Sequence, residues 1–246
     1  MKTDSVVVSV DRLKKCYGSF VAVQELSFDV RQGEIVGLVG ANGAGKTSTL
    51  LSLAGLLPLD GGSIQVCGRC VCTDAVETKI RLAYIPDSNH PFDLLTVREH
   101  LRFVGLAHRV SELDRKVEAI LAEVDLGGKA DELASTLSRG MVQKLSLACA
   151  LIWDPALVVL DEPLTGLDPR GIRAMKDLIR ARAESGMAFL LSSHLLELVE
   201  SLCSRVLILD RGKRLAFGSL DEIRATFDLA DSASMEEVYL AMTAAS

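Results

Sequence analysis

Three short stretches of this sequence carry residue types that could handle a phosphoanhydride. Gly40-Ala41-Asn42-Gly43-Ala44-Gly45-Lys46-Thr47 fits G-x-x-x-x-G-K-[ST], follows the apolar run Ile35 to Val39 and opens an amphipathic segment, Thr49 to Leu57. Strand, Gly-rich turn and helix are the context in which this spacing forms a phosphate-binding loop. Gly40, Gly43 and Gly45 admit backbone conformations closed to other residues and turn several N–H groups toward one anion. The helix N-terminus behind them adds partial positive charge. Lys46 then offers an ammonium to the β- and γ-phosphates, and the Thr47 hydroxyl is a ligand for Mg²⁺.

The second stretch is Asp161-Glu162. It follows Ala156 to Leu160, an apolar run too short for a helix and bounded by turn signals, hence a central parallel strand. Carboxylates at such a strand end lie where ligands gather in open α/β sheets. Asp161 suits a metal held through water, and Glu162 suits the group that polarises an attacking water. The third is His194, at the tip of the strand Ala188 to Leu191 on the same sheet edge. Alone it would read as a structural histidine; its position makes it a candidate for the γ-phosphate.

The chain must be able to bring these residues together. Its 246 residues suffice for a full core, read here as one compact unit with an inserted subdomain. Hydrophobic residues make up 49% and aromatic ones only 4%, as expected of an aliphatic core around a parallel sheet. The formal charge of −6, with no basic stripe, argues against nucleic acid as a partner. No apolar run approaches the roughly 18 residues that span a bilayer, and Met1-Lys2-Thr3-Asp4 does not open a signal peptide. A cytoplasmic protein with reduced thiols is expected. Cys67-Gly68-Arg69-Cys70-Val71-Cys72 lacks a second ligand pair nearby and reads as strand-and-turn cysteines rather than a metal site.

Along the chain, Val6 to Val10, Val21 to Val30 and Ser63 to Val66 predict a small antiparallel sheet, with Lys15-Cys16-Tyr17-Gly18 as a turn between the first two. Arg81 to Pro86 predicts another buried strand. Helices follow: Thr96 with Glu99 forms a capping box, Leu113 to Val124 is amphipathic, and the polar turn Leu137 to Met141 precedes a helix from Val142 to Trp153. After the acidic strand come a helix from Pro169 to Ser185, a strand at Ala188, a helix from Leu195 to Leu202 and a strand from Arg205 to Leu209. Two amphipathic helices, Leu220 to Phe227 and Ser234 to Met242, close the chain. Alternating strand and helix behind the phosphate loop predict an α/β fold with a mostly parallel sheet.

Taken together, these motifs resemble the nucleotide-binding subunit of ABC transporters over nearly the whole chain. Gly40 to Thr47 resembles that family's Walker A, with Asn42, Ala44 and the adjoining Ser48 counted among nucleotide-binding residues; Leu157 to Glu162 resembles its Walker B with the catalytic glutamate. Leu137 to Met141 is similar to the signature sequence, Gly166-Leu167-Asp168 to the D-loop, and His194 to the switch histidine. Tyr17 falls where the adenine-stacking aromatic lies. The resemblance implies a P-loop core (residues 1–94 and 154–220) with a small antiparallel β-subdomain, an inserted helical signature subdomain (95–153) and a C-terminal helical tail (221–246).

It also implies ATP and Mg²⁺ as ligands and an ATPase peripheral on the inner face of the membrane. The permease subunits would be separate chains, contacted through Ser88 to Thr96, and a second ABC ATPase subunit, a copy of this chain or a sibling chain, would complete each site through Ser138 and Gly140. Two departures stand out. Arg139 and Met141 replace residues of the usual L-S-G-G-Q, and Asp87 stands where a glutamine usually approaches the metal. Tyr84-Ile85-Pro86-acid and Arg139-Gly140-Met141 resemble efflux systems more than importers. The rival readings are a soluble ABC-type ATPase acting on a protein assembly, and a small-molecule P-loop kinase, which would have no reason to carry Leu137 to Gly140.

Overall fold

The computed structural model describes residues 5–244. Residues 1–4, which carry the reading of the N-terminus, and the last two residues of the tail lie outside it. Alternation of apolar and polar residues produces a long hairpin, β1 (Val6–Tyr17) and β2 (Phe20–Arg31), turned at Gly18 where φ is +60. Val8, Leu13, Val23, Leu26 and Val30 face inward with no exposure. Both strands exceed their sequence-based bounds because bulges at Arg12 (φ +45) and Glu25 (φ +50) shift the register and let pairing continue around the bend. Lys15 and Cys16 are therefore strand residues, and Tyr17 ends the strand rather than sitting on a turn.

The next elements are β3 (Ile35–Val39), α1 (Lys46–Leu53), β4 (Gly61–Val66), β5 (Arg69–Cys70), α2 (Ala75–Lys79) and β6 (Leu82–Ile85). β1, β2, β4 and β5 form an antiparallel sheet in the order β2-β1-β4-β5. Cys67 occupies the β4–β5 turn at φ +50, and Cys70 ends β5.

Three helices separate β6 from β7 (Leu157–Asp161): α3 (Val97–Ala107), α4 (Leu113–Glu123) and α5 (Arg139–Leu151). The capping box is present: the Glu99 N–H donates to Thr96 Oγ1 at 3.2 Å, and the Thr96 N–H donates to Glu99 Oε2 at 2.8 Å. One expectation fails here. α5 begins at Arg139, so Arg139-Gly140-Met141 is its first turn rather than a preceding loop; Ser138 caps it, accepting from the Met141 N–H at 3.4 Å. Glycine inside the first turn weakened the helical signal.

The chain closes with α6 (Pro169–Glu184), β8 (Ala188–Ser192), α7 (Leu196–Leu202), β9 (Arg205–Asp210), β10 (Lys213–Gly218), α8 (Leu220–Thr226) and α9 (Met235–Ala244). The large sheet runs β10-β9-β3-β8-β7-β6 and is parallel apart from β10, which pairs antiparallel with β9. Every residue of β3, β7 and β8 is buried, which explains their unbroken apolar runs. The protein is thus a mixed α/β fold, as the sequence predicts. Pairing of Leu38 with Ser192 and of Asp161 with Ser192 brings the C-terminal ends of β3, β8 and β7 to one edge.

Candidate active site

The phosphate loop leaves β3 at this edge. Gly45 has φ +100, and a Cβ there would lie 2.5 Å from the Ala22 carbonyl oxygen, so the close pass of the loop over β2 requires glycine. Gly43 has φ +85 and opens on free space. Gly40 and Ala44 shape the loop without lining the cavity: a Cβ on Gly40 would strike Leu209 O at 2.6 Å, and buried Ala44 closes the turn through its N–H to Ala41 O at 3.1 Å.

Lys46 is only 8% exposed, yet its Nζ donates to two loop carbonyls, Gly40 O at 2.7 Å and Ala41 O at 3.2 Å. Among the described residues no carboxylate pairs with it. A buried ammonium without a counter-charge is costly in an apolar setting, and an anion in the loop would relieve it. The α1 N-terminus behind the loop favours the same charge.

Thr47 Oγ1 donates to Asp161 Oδ2 at 3.0 Å. The other oxygen of Asp161 accepts from Ser192 Oγ, which in turn accepts the Glu162 N–H at 3.0 Å. Ser192 is buried and joins the two acids across the β7–β8 register, a role that sequence reasoning missed; the signal was a serine breaking the apolar run of β8. Thr47, Asp161, Glu162 and Asp87 line one cavity of about 330 Å³, with Tyr17 and Ser48 at its rim, where the Tyr17 hydroxyl lies 3.3 Å from Ser48 Oγ. Asn42, Gly43 and Gly45 complete the wall. Burial pushes the Tyr84 phenol up to about 12, helped by the negative charges of Asp161 and Asp87. The donors here are hard oxygens in a negative field, which fits Mg²⁺ rather than a thiophilic metal.

His194 meets the site through Glu162. Its ring Nδ1 lies 2.9 Å from Glu162 Oε2, and its main-chain N–H approaches the same oxygen at 3.4 Å. An ionised carboxylate only accepts, so Nδ1 carries the hydrogen.

Ser138, Gly140 and Asp168 are not brought to this cavity. They line a separate one of about 590 Å³ beside Arg139 and Leu167. Asp168 caps α6 by accepting the Gly171 N–H at 2.7 Å, and a Cβ on Gly140 would come within 3.2 Å of Leu167. The Arg139 guanidinium packs over Gly166, 2.8 Å from where a Cβ would stand.

A phosphate loop after a central parallel strand, with an acidic strand end on the same edge, defines a P-loop nucleotide-binding protein. A family model described as ABC transporter matches residues 23–165. The chain is 36% identical over 221 residues to the Nod factor export ATP-binding protein I of Ralstonia nicotianae, covering 88% of this chain and 68% of that protein. It is 32% identical over 239 residues to the ABC-type transporter ATP-binding protein EcsA of Bacillus subtilis, covering 96% of each. A solved structure of the ATP-binding subunit of an ABC transporter superposes with a TM-score of 0.91 at 33% identity, over 96% of this chain and 99% of that one. The chain belongs to the ABC transporter family and is one of its ATP-binding, ATP-hydrolysing subunits.

Proposed function

We propose that the chain powers export through separate membrane-spanning subunits, hydrolysing Mg²⁺-ATP in the cavity between the phosphate loop and Asp161-Glu162. ATP-binding subunits of this family work with membrane permease components. Among the described residues no helix is long and apolar enough to cross a membrane; the chain would sit peripherally on the inner face, beside those permease components. The name of the Ralstonia nicotianae relative supports the export direction.

The observation that carries the chemistry is the convergence of Lys46, Thr47, Asp161 and Glu162 on one cavity. Lys46 would exchange its loop carbonyls for the β- and γ-phosphate oxygens. Thr47 and Asp161 would hold Mg²⁺, with Asp87 contributing through water; the ion, when bound, offsets charge on the phosphates. Glu162 would accept the proton of the attacking water while His194 fixes the carboxylate. Tyr17 would stack on the base.

Ser138, Gly140 and Asp168 face away from this cavity, so we assign them to the nucleotide of a second ATP-binding subunit in a head-to-tail pair. On this reading residues 1–94 and 154–220 form the core, 95–153 the arm that reaches the partner, and 221–246 a helical tail.

Affinity capture of the chain from detergent-solubilised membranes, with phosphate release assayed on the recovered material, tests the proposal. Recovery of a polytopic membrane protein that stimulates turnover is the expected result. Recovery of soluble assemblies alone, with turnover intact, would move the function to a soluble ATPase acting on a protein assembly.

A further inference from the structure

Glu162 stands in an unfavourable backbone conformation. Its φ is +49, in the left-handed region that a residue with a Cβ occupies only when its surroundings enforce it. The peptide unit before it and the one after Pro163 are each fixed by a side chain. On one side Ser192 Oγ accepts the Glu162 N–H; on the other, Gln143 Nε2 donates to the Pro163 carbonyl at 3.1 Å.

Gln143 has no part in the chemistry assigned above. It sits on α5, is 6% exposed and does not line the phosphate-loop cavity. A buried primary amide must satisfy both its ends. Because the Pro163 carbonyl only accepts, Gln143 must present its NH₂ there, which leaves Oε1 for a donor. That donor is Asn89 Nδ2. Asn89 lies two residues beyond Asp87 and opens the stretch that leads into α3. One side chain thus joins three segments: the loop after β6, the helix capped by Ser138, and the peptide that follows Pro163.

We propose that Gln143 is a positioning residue for Glu162. Its amide fixes the strained turn behind the carboxylate and ties that turn to Asn89, so that a shift of residues 88–96 is felt at Glu162 without any contact to nucleotide. The inference rests on the reading of Glu162 as proton acceptor. The hydrogen bonds of Gln143 form a relay, in contrast to packing, because losing either end frees the other. Removing Asn89 loosens the amide, and removing the amide makes Asn89 irrelevant.

The experiment is a double-mutant cycle of Gln143→Met, which keeps the volume and loses both hydrogen bonds, and Asn89→Ala, read as kcat and KM for ATP in the purified chain. Glu162→Gln is measured alongside. We expect Gln143→Met to lower kcat about tenfold, as a small misplacement of a reacting group does, with KM within about twofold because ground-state binding is untouched. Asn89→Ala should lower kcat less, and the double variant should match Gln143→Met alone. A packing role would instead give multiplying effects.

If Glu162→Gln abolishes hydrolysis while Gln143→Met keeps the parent kcat, or if the two effects multiply, the inference is wrong and the role of Glu162 stands. If Glu162→Gln hydrolyses at the parent rate, the role of Glu162 fails and the inference with it.

Discussion

The two candidate half-sites of this molecule are built on different principles. Around the phosphate loop, charged groups are gathered and already engaged: Lys46 on loop carbonyls, Thr47 on Asp161, Glu162 on His194. Around Ser138 and Gly140, the α5 N-terminus and a cation, Arg139, border an open cavity, and the nearby acid Asp168 is spent capping α6. A pocket that holds opposite charges close together can bind a ligand by itself. A face of donors with little opposing charge fits an anion delivered by another surface. The difference implies that binding and turnover should come apart under mutation, according to which region is touched.

Glu162→Gln should have the largest effect, cutting phosphate release about 10²- to 10⁴-fold while leaving equilibrium ATP affinity near that of the parent in a fluorescent-nucleotide titration. Equal losses in binding and turnover would put Glu162 in the ground-state cradle instead. Lys46→Ala should weaken ATP binding itself, about 10- to 100-fold, since hydrogen bonds to charged groups are the strong ones. Ser138→Ala should sharpen the contrast from the other side. It should lower turnover about tenfold, the worth of one hydrogen bond to a charged group, and leave the affinity of the isolated chain unchanged; a matching loss of affinity would merge the two regions. Tyr17→Ala should be mildest, about fivefold in affinity, which is the scale of one stacking contact.

The phosphate-loop region was the more legible of the two in sequence, for a physical reason. Gly40 to Thr47 and Asp161-Glu162 are contiguous words at the ends of apolar strands, so spacing alone brings them to one edge. The pieces that could not be read are those fixed by long-range pairing. Ser192 reaches Asp161 through strand register, and Gln143 reaches Pro163 and Asn89 from a helix whose apolar face hid one polar member. The fold shows the same division. Parallel strands announced themselves as buried runs, whereas β10 went unread: its alternation is short, and only the two-residue turn Arg211 (φ +46) and Gly212 (φ +79) between β9 and β10 signals a hairpin. The start of α5 was misjudged because Gly140 is a poor helix former.

The central claim is that the two faces of this chain complete each other across a pair of molecules, and sedimentation of the Glu162→Gln chain tests it most directly. With saturating ATP and Mg²⁺ the account predicts a dimer, twice the 26.5 kDa of the single chain, that reverts to monomer when Ser138→Ala is added or nucleotide is removed. A Glu162→Gln chain that binds ATP and stays monomeric would contradict the claim.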